Sequence, residues 1–147
     1  MMPARIRVLL VEDSPFLCKL LKRYLESAGD FEVCAMAHTG REALAFARAQ
    51  QPDVVSMDLT LPDRDGVEVL AELMRERPVP VVVLTGATGS AAMQTVDALE
   101  AGAADFVLKF DPSAPVAPEG LAHEIVTKLR RAARRQMGLP ALRPSTP

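Results

Sequence analysis

Val54-Val55-Ser56-Met57-Asp58-Leu59-Thr60-Leu61-Pro62-Asp63-Arg64-Asp65-Gly66 is a short apolar run that ends in a carboxylate and then breaks into turn residues. The same grammar recurs on both sides of it. Val8-Leu9-Leu10-Val11 runs into Glu12-Asp13, Val81-Val82-Val83-Leu84 into Thr85, and Phe106-Val107-Leu108 into Lys109. Short apolar runs separated by helix-like segments read as strands of a parallel sheet buried on both faces. In open α/β sheets, functional groups gather outside the carboxyl ends of the strands. Three carboxylates, a hydroxyl and an ammonium are therefore expected on one edge.

Between the runs the pattern is helical, and the strand-helix unit repeats five times. The first strand is Ile6 to Val11. Ser14 then offers a side-chain N-cap and Pro15 a first helical residue with its φ already set. The helix that follows carries Phe16, Leu17, Leu20, Leu21, Tyr24 and Leu25 on one face, and Gly29 closes it. A second strand is expected over Phe31 to Ala35 and a second, alanine-rich helix over Gly40 to Gln50. Pro52 stops that helix before the strand Asp53 to Asp58. Leu59 to Gly66 is a turn-rich loop before a helix displaying Val69, Leu70, Leu73 and Met74.

Pro78 and Pro80 frame the fourth strand. A small-residue loop, Ala87 to Ser90, leads to a helix with Met93, Val96 and Leu99, ended by Gly102. After the fifth strand, Asp111 to Pro118 breaks the pattern with three prolines. A last helix, Glu119 to Met137, buries Leu121, Ile125 and Leu129. Each crossover is long enough for a right-handed β-α-β unit. Convergence of the polar groups requires the first, third, fourth and fifth strands to be near neighbours. The expected fold is thus a doubly wound, five-stranded parallel sheet in the order 2-1-3-4-5. It occupies residues 1–137, with 138–147 as a Pro-rich linker or tail.

With 147 residues, of which 49% are apolar, the chain can bury one real core. A net charge of -2 gives no reason to expect nucleic acid or membrane insertion. The arginines near the C-terminus read most simply as a solvated helix end complementing the macrodipole. Cys18 and Cys34 do not make a disulfide framework and are expected to be reduced, in a cytoplasmic protein. No apolar run approaches the roughly 18 residues of a membrane span.

Clustered carboxylates repel one another, and burying them uncompensated would raise their pKa values. A cation resolves the conflict. An all-oxygen set with room for water suits Mg2+ or Mn2+ rather than zinc, which prefers His and Cys. His38 and His123 fall on loop or helix-like segments away from the strand ends and are expected to be ordinary surface or packing residues. A metal beside Asp58, with Lys109 and Thr85 opposite, suits phosphoryl transfer to the aspartate as nucleophile.

These residues, in this order, resemble the receiver domain of bacterial two-component response regulators, whose fold is flavodoxin-like. The resemblance implies that Asp58 is the phospho-acceptor, and that Asp13 ligates Mg2+ directly and Glu12 through water. It implies that Asp58 and the Thr60 carbonyl complete the protein ligands, and that Phe106 is an aromatic switch whose rotamer follows Thr85. An aromatic ending a core strand can equally be structural.

Arg77-Pro78-Val79-Pro80-Val81-Val82, Thr88-Gly89, the stretch Ala98 to Val107 and the last helix from Glu124 to Ala133 look like the receiver of the chemotaxis protein-glutamate methylesterases. That narrower resemblance covers about residues 5 to 136. It implies a chemotaxis-type histidine kinase as phosphoryl donor and a methylesterase output domain beyond the linker. A stand-alone receiver acting as adapter or phosphate sink is the alternative. On either reading, the chemistry of this chain is limited to its own phosphorylation and the hydrolysis of the phosphoaspartate.

One departure concerns Lys109. Receivers usually follow this lysine with proline in a cis peptide, and here Phe110 follows. A non-proline cis bond costs about 2.5–4 kcal/mol. Either the loop holds one, or Lys109 is aimed by another backbone path. Two other classes are disfavoured. A haloacid-dehalogenase phosphatase needs an acid two positions after its aspartate, where Thr60 stands. An FMN binder needs a phosphate loop after the first strand, where Glu12-Asp13 would repel phosphate.

Overall fold

The apolar runs are the strands. A computed structural model of the chain describes residues 4–86, 90–110 and 118–138. In it β1 (Ile6–Val11), β2 (Phe31–Ala37), β3 (Val54–Asp58), β4 (Val81–Gly86) and β5 (Asp105–Phe110) alternate with α1 (Pro15–Ala28), α2 (Gly40–Gln50), α3 (Gly66–Glu76), α4 (Ser90–Glu100) and α5 (Pro118–Gln136). The strands are all parallel and ordered β2-β1-β3-β4-β5, as the sequence implies.

Alternation along the strands builds two cores, one on each face. Val8, Leu10, Val54, Val82, Leu84 and Val107 pack with Leu17, Leu21 and Leu25 of α1 and Ile125 and Leu129 of α5. Leu9, Val11, Val55, Met57, Val81 and Val83 pack with Leu44 of α2, Val69, Leu70 and Leu73 of α3, and Ala98 of α4. Each fully buried leucine or valine stabilises the fold by roughly 1.5–3 kcal/mol. The strand ends are thereby anchored, and the groups just beyond them inherit fixed positions.

Local chemistry sets the element ends. Ser14 Oγ accepts from Leu17 N at 3.3 Å, and Gly29, at φ 89°, ends α1 in the left-handed region that glycine tolerates. Thr39 Oγ1 accepts from Glu42 N, and Glu42 reaches back to His38 N, a close variant of the capping box. Asp63 accepts from the backbone N–H groups of Gly40 and Arg41 at 2.7 and 3.1 Å. The loop after β3 is thereby tied to the start of α2.

Several boundaries and faces differ from the sequence reading. β2 runs two residues further, to Ala37, whose carbonyl accepts from Glu12 N at 2.9 Å and extends the ladder. β3 begins at Val54; Asp53 instead uses its side chain to accept from Arg7 N. α5 starts at Pro118, and Leu121 is only half-buried. Phe16 is 68% exposed, because the buried stripe of α1 runs through Leu17, Leu21 and Leu25 and leaves residue 16 to one side. The expected loops at 87–90 and 111–118 and the tail at 138–147 lie outside the described residues, but for Ser90, Pro118 and Gly138. Among the described residues no helix is long and apolar enough to cross a membrane.

Candidate functional site

Glu12, Asp13 and Asp58 meet at the carboxyl ends of β1 and β3, each presenting a carboxylate oxygen within 4.8 Å of the others. Glu12 and Asp58 continue the side-chain alternation that buries Leu10 and Ser56, and are themselves 1% and 3% exposed. Asp13, one residue on, turns outward and is exposed. Asp58 Oδ1 accepts from Thr60 N at 2.9 Å, and Glu12 Oε2 from Ser14 N at 2.9 Å. Glu12 Oε1 is buried and, among the described residues, has no hydrogen-bond partner. An orphaned buried carboxylate oxygen is costly, and a hard cation or its bound water would satisfy it.

Lys109 closes the cluster. Its Nζ donates to Asp58 Oδ2 at 2.7 Å and to Glu12 Oε2 at 2.8 Å, and lies 3.9 Å from Asp13 Oδ1. No peptide bond among the described residues is cis. The lysine is aimed by the other route. Val107 packs on the α1/α5 face, so alternation along β5 turns Lys109 toward Glu12 and Asp58 on that same face. Thr85 pairs with Leu108 and Gly86 with Phe110, so the register shifts by one residue beside the lysine.

The protonation energetics follow from burial. Burial drives the Glu12 pKa up to about 7, even though the hydrogen bond from Lys109 lowers it. The neighbouring Glu12 carboxyl, helped by the Lys109 charge, holds the exposed Asp13 below the usual carboxylate range. Burial works against the Lys109 ammonium, but its hydrogen bonds to Asp58 and Glu12 outweigh that and keep it above an ordinary lysine.

Thr85 stands on the opposite face of the sheet from Glu12 and Asp58, with Val81 and Val83. Its Oγ1 lies 3.2 Å from the Ala91 carbonyl and accepts from Thr95 Oγ1 at 3.0 Å, both on α4. Among the described residues no hydrogen bond joins it to Asp58 or Lys109. Phe106 is half-buried against the α2–α3–α4 face. Lys128 of α5 reaches around the edge strand: its Nζ donates to the Phe106 carbonyl at 2.7 Å and sits 5.3 Å from the ring centroid. The cation–π contact touches the ring, and the hydrogen bond holds the backbone of β5 beneath it.

The structure thus brings together Glu12, Asp13, Asp58 and Lys109, sets Thr60 against the Asp58 carboxylate, and leaves Thr85 and Phe106 beside the cluster. His38 departs from the sequence reading only in its place along the chain. It follows the end of β2, with Nδ1 2.9 Å from the Glu12 carbonyl oxygen, because β2 is longer than expected. It holds backbone, not the carboxylate cluster. Thr95 and Lys128 escaped the sequence reading. A threonine inside a helix and a lysine on a basic helix carry no motif; only the packed topology shows what they touch.

Chemically, the cluster is hard and oxygen-rich, with the Lys109 ammonium as its own cation and the buried Asp58 carboxylate held among its oxygens. Residues 8–118 match the sequence model of the response regulator receiver domain. The chain is 38% identical over 131 residues to a protein-glutamate methylesterase/protein-glutamine glutaminase of Carboxydothermus hydrogenoformans, covering 89% of this chain and 37% of that protein. It is 38% identical over 130 residues to the corresponding protein of Pyrococcus abyssi, covering 88% and 35%. The chain therefore spans little more than a third of the length of these curated relatives.

Among solved structures it is similar to the response regulator domain of Thermotoga maritima CheB, with a TM-score of 0.78 and 35% identity over 88% of this chain and 97% of that one. It is also similar to a CheY-like response regulator receiver domain protein from Methanospirillum hungatei. There the TM-score is 0.69 and the identity 28%, over 90% of this chain and 99% of the other.

Proposed function

The chain belongs to the response regulator receiver domain family, and on that footing we propose that it is a switch whose Asp58 accepts a phosphoryl group from a kinase phosphohistidine. The observation that carries this reading is Lys109 Nζ held between Asp58 Oδ2 and Glu12 Oε2 inside a three-carboxylate cluster. An aspartate placed for structure alone needs neither two further carboxylates nor a buried, unpartnered Glu12 oxygen beside it.

An Asp58 carboxylate oxygen attacks phosphorus in line. The new P–O bond forms as the P–N bond breaks, and the imidazole departs with the electron pair and takes a proton from solvent. Thr60 N–H and the Lys109 ammonium orient the carboxylate for that attack. Lys109 then serves as a point charge on one phosphoryl oxygen. Thr85 turns from α4 and donates its hydroxyl to another. Water later attacks the phosphorus, breaks its bond to Asp58 and restores the carboxylate, releasing phosphate and a proton.

A divalent cation fits the donor set, and Mg2+ or Mn2+ suits it best. Asp13 and Asp58 would hold it directly, Glu12 through water, and the Thr60 carbonyl would complete the protein ligands. When bound, it neutralises charge on the equatorial phosphoryl oxygens.

The receiver unit is residues 1–137, with 138–147 as the linker toward an output. Relatives that carry the methylesterase name support a methylesterase domain as that output and a chemotaxis-type histidine kinase as donor. Incubation with acetyl phosphate and Mg2+, followed by peptide mass spectrometry, tests the assignment. The phosphoryl group should map to Asp58, and Asp58→Asn and chelated samples should stay unmodified. Equal labelling of Asp58→Asn would remove it.

A further inference from the structure

Thr85 and Thr95 form a buried hydroxyl pair that the phosphoryl chemistry does not itself require. Thr95 Oγ1 lies 3.0 Å from Thr85 Oγ1 and 2.9 Å from the Ala91 carbonyl oxygen, which is also 3.2 Å from Thr85 Oγ1. The three oxygens close a triangle holding two hydroxyl protons, so each hydroxyl has a donor role and a partner. Thr85 is 2% exposed and Thr95 9%, so water does not compete readily for either. The Gly86 carbonyl, 3.5 Å from Thr85 Oγ1, is too far to rival these contacts.

The triangle spans two elements that a phosphoryl signal would have to separate. Thr85 belongs to β4 and Thr95 to α4. A Thr85 hydroxyl engaged with α4 cannot at the same time donate to a phosphoryl oxygen on Asp58. If Thr85 leaves, Thr95 keeps its bond to Ala91, four residues earlier in its own helix. α4 therefore need not unwind, and the departure costs Thr85 its contacts to the Thr95 hydroxyl and to the Ala91 carbonyl.

We infer that Thr95 is a positioning residue whose hydroxyl latches Thr85 toward α4 and so sets how much of the resting protein is ready to bind a phosphoryl group. The inference rests on the reading of Thr85 as the phosphoryl-binding hydroxyl. A ligand that needs the unlatched orientation binds more weakly in proportion to the fraction of molecules in it. Removing the Thr95 hydroxyl takes away one of the two contacts that hold Thr85, leaving the weaker 3.2 Å one to Ala91, and raises that fraction without touching the ligand. Thr95 differs in this from Lys109 and Asp13, whose loss removes contacts to the bound group.

The test is a titration of the full chain with beryllofluoride, a phosphoryl mimic, at saturating Mg2+, followed by amide NMR. Thr95→Val, which keeps shape and drops the hydroxyl, should bind roughly two- to tenfold tighter, the range set by one net hydrogen bond. Thr95→Ser should return to the parent value. In a Thr85→Ala background, Thr95→Val should change nothing, since the latch then has nothing to hold. If valine disturbs the packing, Thr95→Ala supplies the second hydroxyl-free variant. Unchanged or weaker binding in folded hydroxyl-free variants would overturn the latch, as would an equal gain in the Thr85→Ala background. A parent that ignores beryllofluoride and Mg2+ would instead bring down the receiver reading on which the latch depends.

Discussion

Glu12 is a carboxylate kept where its charge is costly. Its folded pKa, about 7, stands above the ordinary glutamate value of 4.5, chiefly through burial. Between those values the folded state binds more protons than the unfolded chain, so stability must fall as pH rises through this window. The full effect is roughly 3 kcal/mol. In chelator, the urea-unfolding free energy should rise from pH 8 to pH 6 by on the order of 1 kcal/mol, and Glu12→Gln should flatten that slope. Asp13 shifts the other way, and its contribution is lost only as pH falls below the usual carboxylate range. A metal-free parent with no slope between pH 6 and pH 8 would contradict the buried-charge account.

Asp13, Asp58, Thr85 and Lys109 were legible in the sequence because each ends an apolar run, and strand ends share one edge. Glu12 was legible as part of the acidic pair, but its orphaned oxygen was not, since that depends on what fails to reach it. The Thr95 hydroxyl was invisible for a related reason: its partner lies ten residues away on another element.

At the scale of elements, the loop after β3 shows how closely the backbone is folded around the nucleophile. Gly66 N donates to the Leu59 carbonyl at 3.2 Å, and Thr60 and Asp65 form an isolated antiparallel bridge. A Cβ on Gly66 would lie 2.5 Å from the Leu59 carbonyl oxygen and 2.6 Å from its Cα, and backbone cannot step aside. Gly66→Ala should destabilise the fold by roughly 1–3 kcal/mol and weaken Mg2+ binding by moving Thr60. Gly86→Ala, whose Cβ would meet, among the described residues, only Ala91 Cβ at 3.5 Å, should be nearly neutral. Urea titrations of both variants check the contrast, and equal stabilities would refute it.

The five strands, their parallel order and the crossover helices were readable from periodicity and from Pro15, Gly29 and Gly66. The backbone path that aims Lys109 was not. The sequence posed the question, since Phe110 replaces the usual proline, and left two routes open. Only the folded backbone, with no cis bond among the described residues, decides between them.

Across the whole molecule, α4 is the least embedded helix. Met93, Val96 and Leu99 are 64%, 48% and 40% exposed at three-residue spacing, and Leu108 on the edge strand β5 is 41% exposed. Grouped apolar side chains at a surface mark a contact site. They lie on the two elements that flank Thr85 and Phe106, so a change at Asp58 has a short path to them. A remote effect requires differential contacts in two states, and the Thr85 hydroxyl and the Phe106 ring supply the candidates.

Amide NMR of the chain with beryllofluoride, with and without Mg2+, tests the phospho-switch most directly. The parent should show shifts around Asp58, along α4 and at Phe106, all requiring Mg2+ and all absent in Asp58→Asn. Thr85→Ala should keep the shifts around Asp58 and lose those at Phe106. A parent that does not respond, an Asp58→Asn that responds like it, or unchanged Phe106 shifts in Thr85→Ala would contradict the account.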